Sequence, residues 1–143
     1  SDSVTSSNGA ENITFSAGAQ NISTTGGTAT LNLVGGQYNI TNTGAADSLS
    51  LSTASNDQLW FQELGNDLFI TTLGGNEQIT VNNWFAGGAL NQITDSHGLS
   101  ANAANINQLV QAMAAFAPPG ASQTAYTPQQ QQALQPLMAS NWH

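Results

Sequence analysis

Acid–base or metal chemistry in this chain would have to draw on eight acidic side chains and two histidines, because its 143 residues include no lysine, arginine or cysteine. Asp57 and Glu63 make a pair of the general type that cleaves glycosidic bonds as acid and base. His97, two residues after Asp95, has the chemistry of a general base or a metal ligand. Neither arrangement is specific. No nucleophile accompanies His97, and nothing distinguishes Asp57 and Glu63 from turn acids that simply face water. The sequence is therefore read as that of a non-catalytic protein.

The missing bases narrow the choice of partners. A soluble protein carries charge on about 25% of its residues, so roughly 17 Lys and Arg would be ordinary at this length. The chain has none, and its formal charge is -8. A nucleic-acid footprint requires Lys and Arg against the phosphates, and an anionic membrane surface has the same requirement. Nucleic acid is thus excluded as a partner. No apolar run is long enough to span a bilayer, so membrane insertion is not expected, and the polar start Ser1-Asp2-Ser3 does not read as a secretory signal. The lack of cysteine rules out disulfides and thiolate chemistry. One domain of this length can bury roughly 70% of its extended surface.

A repeat organises the first half. Steps of nine residues connect Val4, Ile13, Ile22, Leu31, Ile40 and Leu49, while Gly9, Gly18, Gly27 and Gly36 keep the same step. Side chains two apart on a strand share a face. The pairs Ile13/Phe15, Leu31/Leu33 and Leu49/Leu51 alternate with the more polar Ile22/Thr24 and Ile40/Asn42, which implies a structural period of eighteen with two strands per turn. After Leu51 the frame slips, and Leu59/Phe61 and Leu68/Ile70 are expected to continue the two sheets. Asn12, Asn21 and Asn39 spell glycosylation sequons with Thr14, Ser23 and Thr41, but are read as ladder residues that hydrogen-bond from strand to strand.

From Asn66 onward the pattern changes to a hairpin-like unit, with strands near residues 68–72 and 78–84 joined through Gly74-Gly75-Asn76, and a further short strand is predicted at 90–94. Ser100 is the expected N-cap of a helix that places Ile106, Leu109, Val110, Met113 and Ala117 on one face and ends at Pro118-Pro119-Gly120. Thr127-Pro128 opens a last helical segment, interrupted at Pro136. The fold expected is mainly β: a parallel β-roll or β-solenoid over residues 4–72, terminal strands over 73–98 and a helical cap over 99–143, all in one domain.

Several spaced pieces then match a known pattern in order. Gly65-Asn66-Asp67-Leu68-Phe69-Ile70, Gly74-Gly75-Asn76, Ile79-Thr80-Val81-Asn82-Asn83-Trp84-Phe85, Ile93-Thr94-Asp95-Ser96-His97-Gly98 and Asn107-Gln108-Leu109-Val110-Gln111-Ala112-Met113-Ala114 resemble the region that follows the nonapeptide repeats in RTX, hemolysin-type calcium-binding proteins. The resemblance covers about residues 56–117. It implies a parallel β-roll, export by type I secretion machinery reading a carboxy-terminal signal, and calcium-assisted folding outside the cell. It also departs from the family. Where the family's repeat places a calcium-binding Asp, this chain has Ile13, Ile22, Leu31, Ile40 and Leu49, so calcium is not expected in those turns. Asp57, Glu63 and Asp67 are the remaining candidate ligands, since a hard cation takes several oxygens.

The functional expectation is a secreted, extracellular bacterial structural protein that assembles with copies of itself through its ends into a fibre, surface layer or matrix. Val4, Ile13 and Phe15 at the amino-terminal coil and Trp142 near the carboxy terminus are the candidate contact residues. A folding and export module of a larger calcium-binding enzyme or adhesin is the alternative, and a carbohydrate-binding module is a weaker one.

Overall fold

The computed structural model describes residues 2–7, 10–16, 19–25, 28–43, 47–51, 58–74, 77–87, 89–116 and 123–142. Strands β1 (Asp2–Ser7), β2 (Ala10–Ser16), β3 (Ala19–Thr25), β4 (Thr28–Val34), β5 (Gln37–Thr43) and β6 (Ser48–Leu51) alternate between two sheets. Their registers are parallel and offset by eighteen: Val4 faces Ile22 and Ile22 faces Ile40 in one sheet, while Ile13 faces Leu31 and Leu31 faces Leu49 in the other. The alternation of side chains follows from this path. Leu31, Leu33, Ile40, Leu49 and Leu51 are fully buried between the sheets, and Asn21 and Asn39 point outward.

The architecture as a whole is not a parallel β-roll or β-solenoid. It is a mixed α/β fold of two sheets in which parallel and antiparallel strands are combined with two helices. The change comes after β6. Strands β7 (Leu59–Leu64) and β8 (Asp67–Thr72) lie next to each other in one sheet as an antiparallel hairpin, with Phe61 opposite Ile70, instead of continuing two separate sheets. The cause is the two-residue connection Gly65-Asn66. Gly65 has a φ of 64°, a left-handed conformation that a tight hairpin turn requires and a side chain would resist. Strand β9 (Gln78–Asn82) then pairs antiparallel with β8 and parallel with β5. The six-stranded sheet therefore runs β1-β3-β5-β9-β8-β7. In the second sheet β10 (Gln92–Thr94) adds parallel to β6, and β11 (Ser100–Asn102) turns back antiparallel to β10, giving the order β11-β10-β6-β4-β2.

Helix α1 (Ala103–Met113) follows β11 without a loop. Ser100 lies in β11 and is not the cap; Asn102 is, accepting the Asn105 N–H at 2.9 Å while Asn105 Oδ1 accepts the Asn102 N–H at 3.2 Å. Ile106, Leu109, Val110 and Met113 are the buried face, as the apolar spacing predicts, while Ala117, the last residue of the expected stripe, lies outside the described residues. Trp84, in a single 3-10 turn after β9, donates its indole N–H to Asn107 Oδ1 at 2.8 Å and so ties the sheet to this helix. Helix α2 (Pro128–Asn141) begins at the Thr127 cap and continues through Pro136, which does not end it. It buries Leu134 and Met138, and Asn141 joins it to α1 through Asn105 at 2.8 Å.

Side-chain ladders run along the outer faces. Asn32 donates to Asn12 Oδ1, and Asn82 donates to Thr41 Oγ1 at 3.0 Å. In the interior, Tyr38 sits edge-on to Phe15 with ring centroids 6.1 Å apart, and its hydroxyl donates to the Phe15 carbonyl at 3.4 Å. Burial pushes the Tyr38 hydroxyl above its ordinary value of 10.0, with the charge of Glu77 acting in the same direction and a backbone hydrogen bond at Val34 opposing both. The sign for stability follows by linkage. Below 10.0 both folded and unfolded chains keep the proton; above it the unfolded chain loses the proton first, so stability falls as pH rises. Tyr38→Phe is expected to weaken that alkaline loss while leaving the profile below pH 10.0 unchanged in shape, as checked by urea unfolding across pH.

Candidate functional site

The two sheets grow in the same direction, so their first strands, β1 and β2, are edge strands on the same side of the molecule. An edge strand carries a row of backbone N–H and C=O groups able to pair with another chain. Among the described residues, β1 pairs only with β3 and β2 only with β4. Val4 takes its place in β1 opposite Ile22. Ile13 is half-buried in β2 opposite Leu31, and Phe15, two residues on, is buried opposite Leu33. The three residues therefore share one end of the structure, where Ile13 keeps part of its apolar surface in water.

The opposite end is built differently. The outer strand there, β7, is an edge as well, but side chains cover it. Its Phe61 N–H donates to Met113 Sδ of α1 at 3.2 Å, and the Tyr126 hydroxyl donates to the Leu59 carbonyl. Tyr126 also lies against Trp60, with ring centroids 6.1 Å apart. Strand addition at β7 would first have to displace these groups. In the other sheet, β11 runs directly into α1, and both helices contact it.

Trp142 belongs to this covered end. It is 4% exposed, and its ring lies 6.3 Å from that of Phe61. The structure thus groups Val4, Ile13 and Phe15 together and puts Trp142 elsewhere, in the packing between α2 and β7. Met113 was visible in the sequence as part of an apolar helix face, but its role as acceptor for a strand edge has no sequence signal. Tyr126 follows no periodic pattern and had none either.

Of the candidate calcium ligands, Asp57 lies outside the described residues. Glu63 and Asp67 are in one hairpin, but Glu63 pairs with Leu68 and Asp67 with Leu64, so their side chains leave opposite faces. Asp67 Oδ1 accepts the Asn83 N–H at 2.8 Å, fixing Asn83 in a left-handed conformation with φ 57°. These two carboxylates do not converge. Asp95 is buried and organises its own turn, accepting the His97 N–H at 3.0 Å and the Leu99 N–H at 2.9 Å, while the exposed His97 ring stands 4.0 Å from its second oxygen. Among the described residues no group of three or more His, Cys, Asp and Glu converges, and no helix is long and apolar enough to cross a membrane. No family model matches the chain.

Proposed function

We propose that this chain is a non-catalytic structural protein of the extracellular space that associates with copies of itself by strand addition at the β1/β2 end. The observation that carries the reading is the asymmetry of the two ends: among the described residues β1 and β2 are paired on one side only, whereas β7 has Met113 and Tyr126 across its edge. Edges of this kind accept further strands because their backbone groups are already held in extended geometry by the strand on the inner side. A contact that uses the same end of both partners is isologous and closes as a pair. Fibres or layers then require a second contact between pairs. Type I secretion and calcium-assisted folding enter the proposal only through the resemblance to RTX proteins.

Electrostatics oppose the association. Each copy carries -8, and the chain has no Lys or Arg to offset it. Screening shortens the reach of that repulsion from about 10 Å at 0.1 M salt to about 3 Å at 1 M. Association is therefore expected to tighten as salt or calcium rises, with the mass from light scattering at least doubling as protein concentration increases. A mass that stays monomeric at every salt and calcium concentration overturns the proposal.

The eighteen-residue register supports a second reading. The same edges would accept an upstream rung of a longer chain, which would make this segment a folding and export module of a larger protein. An upstream extension that pairs with β1 and abolishes self-association would favour that reading.

A further inference from the structure

Acidic residues are distributed unevenly over the strands. β3, β4, β5, β6, β9, β10 and β11 contain none. Each edge strand at the β1/β2 end contains one, Asp2 in β1 and Glu11 in β2. The remaining strand acids, Glu63 and Asp67, belong to the β7–β8 hairpin at the covered end. Asp2 stands in register with Gln20 and Glu11 with Ala29, so the inner strand has a neutral residue at each matching position. Charged residues on an edge strand keep a sheet from growing.

We propose that Asp2 and Glu11 regulate the association of copies at this end: ionised they hold the edges apart, and neutralised by protonation they let the edges pair. The inference rests on the self-association read above and names the residues that control it. In a twofold pair the same end of each copy faces the other, so whichever edge strand meets which, both bring a carboxylate to the contact. The chain has no Lys or Arg to stand between them. The charge of the whole molecule acts at long range and is screened by salt, whereas charges brought together inside a contact are screened much less. The strands behind the two acids carry no titratable residue of their own: β3 pairs with β1 and β4 with β2. Tyr38 of β5 reaches β2 at the Phe15 carbonyl, but it titrates above 10.0 and stays neutral in acid. Glu77, whose charge acts on Tyr38, immediately precedes β9, which β3 and β5 separate from β1.

The test measures the self-association constant by sedimentation equilibrium at fixed salt for the parent chain, Asp2→Asn, Glu11→Gln, their double variant and Glu63→Gln. Each substitution removes one charge and keeps the shape of the side chain, and circular dichroism checks that the fold is retained. Glu63 is exposed at the covered end, so Glu63→Gln reports the effect of net charge alone. At pH 7 each edge substitution is expected to tighten association about fivefold, the upper range for a charged pair across strands, and Glu63→Gln by less than about twofold. Lowering the pH from 7 to about 5, toward the ordinary carboxyl range, should tighten association of the parent and have little effect on the double variant. Equal effects of Glu11→Gln and Glu63→Gln, or a double variant that keeps the parent's full pH dependence, would overturn the role of the edge acids while leaving self-association in place. A double variant that stays monomeric under every condition would overturn both.

Discussion

Leu31→Ala is expected to lower the free energy of unfolding by about 2–5 kcal/mol, the range for a leucine cut back in a core that cannot close around the cavity. Leu31 is fully buried in β4, the strand next to the edge of the five-stranded sheet, opposite Ile13 of β2 on one side and Leu49 of β6 on the other. Neighbouring strands hold the backbone on both flanks, so collapse around the missing side chain is restricted. Domains of this size keep only about 5–15 kcal/mol in total, and the loss should appear as a large drop in the urea midpoint with m unchanged. Leu64→Ala is the matching control. Leu64 is 51% exposed at the hairpin tip, and its truncation should change stability by no more than about 0.5 kcal/mol. Equal effects at the two positions would mean that the apolar step of nine does not mark the core.

The second large effect concerns the free edge. Backbone N–H groups alternate in direction along a strand, so of two adjacent residues in β2 one donates toward β4 and the other outward. Proline removes the N–H in either case. In the pair of variants Asn12→Pro and Ile13→Pro, one is therefore expected to keep the fold, as judged by circular dichroism, and to weaken self-association by at least about tenfold; the other breaks a ladder bond and destabilises the chain by about 1–3 kcal/mol, the cost of leaving the facing carbonyl without its donor. If the variant that remains folded associates as tightly as the parent, β2 is not where copies meet.

The parallel part of this fold was legible because its signal is redundant. Ile13, Leu31 and Leu49 recur at a fixed step, each is followed two residues later by another apolar side chain, and the register pairs them directly. The departure at β7 was hidden by a coincidence of spacing. Leu59 and Leu68, and Phe61 and Ile70, are also nine apart, so they mimic two more rungs of the repeat. Period-two alternation records which side chains face inward, but not whether the chain crosses to the other sheet or doubles back. Gly65-Asn66 carried that information in two residues, a tight hairpin turn that the nine-residue spacing on either side concealed. The caps show the same limit on a smaller scale. Ser100 and Asn102 are both good N-caps by type, and the pairing of β11 with β10, a long-range contact, places Ser100 in a strand. At the candidate site, Val4, Ile13 and Phe15 came together because one repeat relates them. Trp142 could not be placed, since its position depends on how α2 packs against Phe61.

Amide hydrogen exchange at increasing protein concentration tests the proposed contact most directly, because it reads the edge strands themselves. If copies join at the β1/β2 end, protection of residues 2–7 and 10–16 rises with concentration, while residues 59–64 of β7, already covered by Met113 and Tyr126, remain unchanged. Exchange in β1 and β2 that is the same at every concentration, or protection that grows at β7 instead, would contradict the account.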